Sequence, residues 1–185
     1  MSSNIKIVEV GIKDFPKDLQ LPFYRHRGDM GMDVCAAADY IILPGQTILI
    51  ATGLSVVLPE NYALEVRPRS GLSLKTNLHI ANSPGTIDSG YRDEIKIIMR
   101  NLSQMALIAH NDPTEIPLKT LESSYGKIPL YDLNVKSTPH GAYKICRGDR
   151  IAQLILVPIY QAQWTENVGE AEFDRQGGFG HSGVK

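Results

Sequence analysis

The residues best suited to chemistry begin with Asp88. Its carboxylate stands in the stretch Asn82-Ser83-Pro84-Gly85-Thr86-Ile87-Asp88-Ser89-Gly90-Tyr91-Arg92. Two turn signals, Ser-Pro-Gly and Ser-Gly, flank the extended run Thr86-Ile87-Asp88, and a ring, Tyr91, follows the acid. This pattern predicts a tight hairpin with an isolated carboxylate at its edge. Gly85 and Gly90 allow backbone conformations that a Cβ forbids, and the β-branched pair favours extended chain. A rigid turn of this kind can offer backbone N–H and C=O groups to something flat, such as a nucleobase. Taken alone, the stretch equally describes an ordinary hairpin with a solvated acid.

Other candidates are scattered. In Arg67-Pro68-Arg69-Ser70-Gly71-Leu72, Pro68 ends a strand and Ser70 is a good N-cap for a short helix. Free N–H groups at a helix start attract anions, Gly71 permits close approach, and the Arg69 fork matches phosphate oxygens. A surface turn with two solvated arginines is the plainer alternative. Asp33, in Gly31-Met32-Asp33-Val34-Cys35-Ala36-Ala37, is an acid among small and apolar residues, either a hydrogen-bonded structural acid or a site acid. Gln153 is the lone amide in the apolar run 151–158, so it bonds within the core or points into a site. Arg175, Phe179 and Ser182 lie among glycines, Gly180 included. They suit either a flexible tail or a closing lid with a phosphate clamp, a stacking ring and a hydroxyl donor. His110, His140 and Cys146 have no metal-ligand spacing.

The elements that must position these groups are short strands. Residues 4–10 predict a buried strand, and residues 41–43 and 47–51 a hairpin around Pro44-Gly45. Further strands are expected at 54–58, 62–66, 94–101 and 151–158. In 94–101, Ile95, Ile97 and Met99 share one face. No helix is expected before residue 67, so the fold class is all-β, a sandwich or barrel. Residues 103–146 are too long for a simple connection and read as an inserted arm with strands of its own.

Composition narrows the class. A chain of 185 residues with 43% hydrophobic content suits one domain with a real core. A net charge of -1 gives no basic face for duplex nucleic acid. No window is long and apolar enough to span a bilayer, and two cysteines make no disulfide framework. The expectation is a cytoplasmic, reducing setting with no nucleic-acid or membrane partner.

Together these segments resemble the trimeric deoxyuridine triphosphatases (dUTPases), whose five ordered motifs correspond to residues 31–37, 67–72, 82–96, 147–154 and 175–183. The resemblance implies a distorted jelly-roll (β-clip) domain over residues 1–174, with the insertion at about 103–146 and a short helix after the phosphate loop. Residues 175–185 would form a glycine-rich lid. It also implies a homotrimer with sites shared between subunits. The implied activity is Mg2+-assisted water attack on the α-phosphate of dUTP, giving dUMP and pyrophosphate, which keeps uracil out of DNA and supplies dUMP for dTMP synthesis. In that reading Asp88 orients the water and contacts the 3′-hydroxyl, and Asn82, Thr86 and Ile87 frame the uracil. Lys96 lines the pocket, and Tyr91 packs under the sugar. Arg69, Ser70, Gly71 and Gln153 match the phosphate contacts, and Asp33 an acid near the metal, acting through water, with Mg2+ held mainly by the triphosphate. Arg175, Phe179, Gly180 and Ser182 match the lid. The related dCTP deaminases share the fold, but their loop and glutamate base differ from residues 67–72 here.

Overall fold

The structure, a computed structural model, describes residues 6–124 and 126–166. Short β-branched runs between Pro- and Gly-containing turns form the strands β1 (Gly11–Lys13), β2 (Gly31–Cys35), β3 (Tyr40–Ile42), β4 (Thr47–Ala51), β5 (Ser55–Val57), β6 (Tyr62–Arg67), β7 (Leu78–Ile80), β8 (Gly85–Ile87) and β9 (Lys96–Asn101). They continue with β10 (Lys119–Ser123), β11 (Gly126–Tyr131), β12 (Ala142–Ile145) and β13 (Arg150–Pro158). Among the described residues one helix, α1 (Ser70–Lys75), follows the 67–69 segment, and a 3-10 turn spans Met105–His110. The sheets run β2-β13-β6-β8, β4-β9-β7, β10-β11-β12-β3 and β1-β5. This is the expected all-β, jelly-roll type of architecture.

Alternation along the strands decides what is core and what is site. Val34, Leu64, Val66, Ala152 and Leu154 turn one face of the β2-β13-β6-β8 sheet inward, against Ile50, Ile80, Ile97 and Met99 of the second sheet. Ile97 and Met99 are fully buried, as their shared face predicts. Asp33, Gln153 and Arg67 lie on the opposite face of the first sheet, by the same period of two. Residues 103–146 are tied into the same body. β10 and β11 pair antiparallel, β11 runs parallel to β12, and β12 pairs with β3, carrying the fully buried Tyr143 and Ile145 into the main core. Burial pushes the Tyr143 hydroxyl up to about 12, so it remains a donor, to the Pro139 carbonyl, and accepts from the Asn77 N–H.

Three local expectations are corrected. β3 and β4 are not a hairpin: β3 pairs with β12 and β4 with β9. The Pro44-Gly45 turn is a corner between sheets. Gly45 sits at φ +75° and donates to the Asn101 carbonyl at 2.8 Å, while the Asn101 N–H donates to Gln46 at 3.0 Å. Residues 82–92 likewise do not close on themselves, because β8 pairs with β6 whereas β7 pairs with β9. At the start, residues 6–10 form no strand and Ile7 is 89% exposed. Val8 and Val10 are half-buried in an apolar groove with Leu21, Leu64 and Leu154, so side-chain packing replaces a ladder there.

Candidate active site

The register of the first sheet sets Asp33 opposite Gln153, and Gln153 opposite Arg67, in one row across β2, β13 and β6. Asp33 is 5% exposed. A buried carboxylate survives only with charge or hydrogen-bond partners, and here it has both. Its Oδ1 accepts from Arg69 Nε at 2.9 Å, and its Oδ2 from Arg150 Nη1 at 3.0 Å. Longer contacts come from Arg69 Nη2 at 3.4 Å and Gln153 Nε2 at 3.5 Å. Arg69 Nη1 also donates to the Arg150 carbonyl at 3.1 Å. Gln153 lies so close over Gly31 that a Cβ there would stand 3.0 Å from Gln153 Oε1. Arg67, by contrast, is held by Glu65 on its own strand. One carboxylate against two guanidinium groups leaves the cluster with a surplus positive charge, suited to an anion.

This arrangement moves the helix cap by one residue. Arg69 occupies the N-cap position in extended backbone, with no side-chain capping bond, and Ser70 is the first helical residue. The Arg69 side chain reaches across to Asp33 instead. Ser70 and Gly71 are exposed at the head of α1, and nothing lies within 4 Å of where a Gly71 Cβ would be.

The same geometry tests Asp33 as a metal ligand. Both of its oxygens face guanidinium groups, and among the described residues no three His, Cys, Asp or Glu are grouped to hold an ion. The donor set does not fit a metal bound directly to Asp33, whose expected contact with Mg2+ runs through water. His140 Nδ1 accepts the Gln104 N–H at 3.0 Å, a structural use. Burial first, and then the Asp33 charge, push the Cys35 thiol up, which keeps it protonated.

The 82–92 segment is a second, separate centre. β8 runs along β6, with Thr86 exposed and Ile87 half-buried. The Asn82 amide folds over Gly85, where a Cβ would stand 3.0 Å from Asn82 Nδ2. A turn follows, closed by the Tyr91 N–H on the Asp88 carbonyl at 3.0 Å. Arg92 straps it by donating to the carbonyls of Ser89 and Tyr91. The Tyr91 hydroxyl donates to the Glu94 carbonyl at 3.0 Å, which fixes a ring that is 37% exposed. Lys96 is exposed and pairs loosely with Glu94 at 3.8 Å. Asp88 is exposed, and its carboxylate makes no hydrogen bond or ion pair among the described residues. It is therefore available to a water or a ligand.

The two centres do not meet within one chain. Ile87 pairs with Leu64, and Leu64 with Leu156, so Asp88 flanks the sheet row that holds Val157. That row is about 13 Å along β13 from Gln153, and β8 lies two strands from β13, so the separation is roughly 15–20 Å. Arg175, Phe179, Gly180 and Ser182 lie outside the described residues.

Comparison with known proteins gives the family. A dUTPase family profile matches residues 17–112. The deoxyuridine 5'-triphosphate nucleotidohydrolase of Desulfotalea psychrophila (strain LSv54 / DSM 12343) is 39% identical over 90% of this chain and 89% of its own length. The chain belongs to the dUTPase family. Among solved structures, a mutant dUTPase of Staphylococcus bacteriophage 80alpha with dUpNHpp superposes at a TM-score of 0.73, with 26% identity over 95% of this chain and 99% of that one. A mutant dUTPase from phage phi11 of S. aureus, described for its coordination of a structural Mg(II) ion, gives 0.67, with 26% identity over 89% and 99%. Of the residues singled out in the sequence of this dUTPase-family chain, Asp33, Arg69 and Gln153 come together, whereas Asn82, Thr86, Ile87, Asp88, Tyr91 and Lys96 form the separate centre. Arg150 and the strap Arg92 were not singled out. No helix among the described residues is long and apolar enough to cross a membrane.

Proposed function

We propose that this chain hydrolyses dUTP to dUMP and pyrophosphate by water attack on the α-phosphorus. The observation that carries the reading is the cluster of Asp33 and Gln153 with the guanidinium groups of Arg69 and Arg150, whose surplus positive charge on the outward face of one sheet suits an anion. Arg69, Ser70, Gly71 and Gln153 hold phosphate oxygens and stabilise the charge that develops as pyrophosphate leaves. Asn82, Thr86 and Ile87 read the uracil edge, and the space they enclose rejects a 5-methyl group. Lys96 lines this pocket. Tyr91, with its hydroxyl anchored, closes the space a 2′-hydroxyl would need. Asp88, exposed and without a hydrogen-bond or ion-pair partner among the described residues, aims the water and accepts its proton, a contribution of ~10²–10⁴-fold. Arg175, Phe179, Gly180 and Ser182 act as a lid over the bound nucleotide, on a domain formed by residues 1–174. Mg2+ enters only as the counter-ion that the triphosphate itself carries, where it disperses phosphate charge.

The separation of the two centres supports a site shared between copies, and in the dUTPase reading those copies form a homotrimer. A water bound to Asp88 must also stand about 3–3.5 Å from phosphorus, and Gln153 of the same chain is roughly 15–20 Å away. A second copy supplying the other half resolves the distance. The deciding experiment is pyrophosphate release from dUTP, UTP, dTTP and dCTP, with and without Mg2+. Release from dUTP alone is expected. Equal release from UTP or dTTP, or none from dUTP, overturns the reading.

A further inference from the structure

We infer that Arg150 is a phosphate-binding residue of this site and that Asp33 is the positioning residue that aims it, together with Arg69. The inference rests on the dUTPase reading above and adds to it. Its origin is a β-bulge. Plain alternation along β13 would put Arg150 on the same face as Ala152 and Leu154, which are buried in the core. Instead the pairing with β2 slips between Arg150 and Ala152, so that Arg150 faces Cys35 and Ala152 faces Val34. Ile151 is the extra residue, and Ile151 and Ala152 both turn inward with no exposed surface. The slip swings Arg150 to the face of Asp33 and Gln153. Bulges re-aim side chains in this way beside active sites.

Donor use separates the two arginines. A guanidinium carries five N–H donors. All three nitrogens of Arg69 are already engaged, two on Asp33 and one on the Arg150 carbonyl. Among the described residues, only Nη1 of Arg150 is engaged, at 3.0 Å from Asp33 Oδ2. Its Nε and Nη2 remain to be offered, and the side chain is 33% exposed against 23% for Arg69. Arg150 also fronts a cleft of about 470 Å3 whose other cation, Arg147, is paired with Asp18. Asp149, its neighbour, has a carboxylate oxygen turned to the Cys146 N–H at 2.7 Å. Arg150 is thus the cation of this cluster with the most donors left for a polyphosphate, and Asp33 sets its direction without touching the ligand.

The test compares the affinity of the trimer for dUpNHpp and for dUMP by calorimetry, in the parent and in Arg150→Gln, Arg150→Lys and Asp33→Asn. Arg150→Gln is expected to weaken dUpNHpp about 10- to 100-fold and to leave dUMP within about twofold, since a charge-assisted contact to the β- or γ-phosphate is lost. Arg150→Lys recovers part of the loss, because charge returns without the fork. Asp33→Asn lowers dUpNHpp affinity in the same selective way, without raising the Mg2+ concentration needed for half-maximal turnover, as loss of a metal ligand would. Unchanged dUpNHpp affinity in Arg150→Gln, or an equal loss for dUMP in both Arg150 variants, overturns the inference. If Arg150→Gln does not fold, Arg150→Lys decides: full affinity for dUpNHpp there refutes the role of the fork. Parent protein that releases pyrophosphate from dUTP while these variants keep full dUpNHpp affinity contradicts only this inference. A parent that does not hydrolyse dUTP contradicts the reading beneath it.

Discussion

Replacing Asp33 by Asn should reveal how much of the fold's stability passes through the anion cluster. The change keeps the volume and one acceptor oxygen but removes the charge between Arg69 and Arg150. Two good charge-assisted bonds, at 2.9 and 3.0 Å, are weakened, and two guanidinium groups are left facing each other. Breaking a buried ion pair typically costs about 3–5 kcal/mol. Asp33 is 5% exposed, but the arginines are 23% and 33% exposed at the side chain, so solvent screens part of this. A loss of about 2–3 kcal/mol is therefore expected. For a chain of this size that lowers Tm by roughly 5–10 °C. The assay is thermal unfolding at fixed protein concentration, which matters because oligomer stability depends on it. Raising the salt to about 1 M, where the screening length falls to about 3 Å, should recover part of the loss, since repulsion between exposed guanidinium edges is screened. Asp18→Asn is the comparison. Its pair with Arg147 is solvent-exposed, and its removal should shift Tm far less. A fall in Tm for Asp33→Asn no larger than that for Asp18→Asn would refute the reasoning.

Two further outcomes follow from the same structure. Asp88→Asn should reduce dUTP turnover by at least ~10²-fold while dUpNHpp still binds, because the carboxylate has no structural partner to lose among the described residues; retained turnover in a steady-state assay contradicts this. The tie between Glu115 and the 136–137 segment should loosen in acid. Hydrogen bonds from the Ser137 and Lys136 N–H groups hold the Glu115 carboxyl below its ordinary 4.5. That stabilisation is present above 4.5 and is lost as pH falls through the lower folded value. Amide exchange at Lys136 and Ser137, corrected for the intrinsic acid dependence, should therefore rise on acidification, and Glu115→Gln should weaken protection already at neutral pH.

Much of the architecture was legible because burial writes itself into alternation. Ile95, Ile97 and Met99 could only be one buried face, and β13 announces itself differently, as an apolar run over 151–158 broken only by Gln153. What the alternation could not show is which strand pairs with which. A Pro-Gly or Ser-Pro-Gly turn reverses the chain whether the flanking strands pair together or join different sheets. Here β3 finds β12 some 100 residues later, and β8 finds β6. The run 6–10 has the alternation of a strand, but only Val8 and Val10 are partly buried, by side-chain packing without a ladder partner, and Ile7 stays exposed. At the site, Asp33 and Gln153 stood out as polar residues in apolar runs, and their sequence neighbours left two readings open for each. The choice depended on Arg69 and Arg150, which lie 36 and 117 residues from Asp33. Arg150 itself was hidden because one bulged residue, Ile151, reverses its parity; no local signal in Arg147-Gly148-Asp149-Arg150 marks that slip.

The claim that the site is split between copies is tested most directly by mixing two dead subunits. Asp88→Asn and Arg69→Ala protein would be unfolded together, refolded at equal concentration and assayed for pyrophosphate release from dUTP. If Asp88 and Arg69 reach one substrate from different subunits, random assembly gives about one quarter of the sites both intact groups, and about a quarter of the parent activity returns. If both act from the same chain, every site carries one defect and no activity returns, which would contradict the shared site.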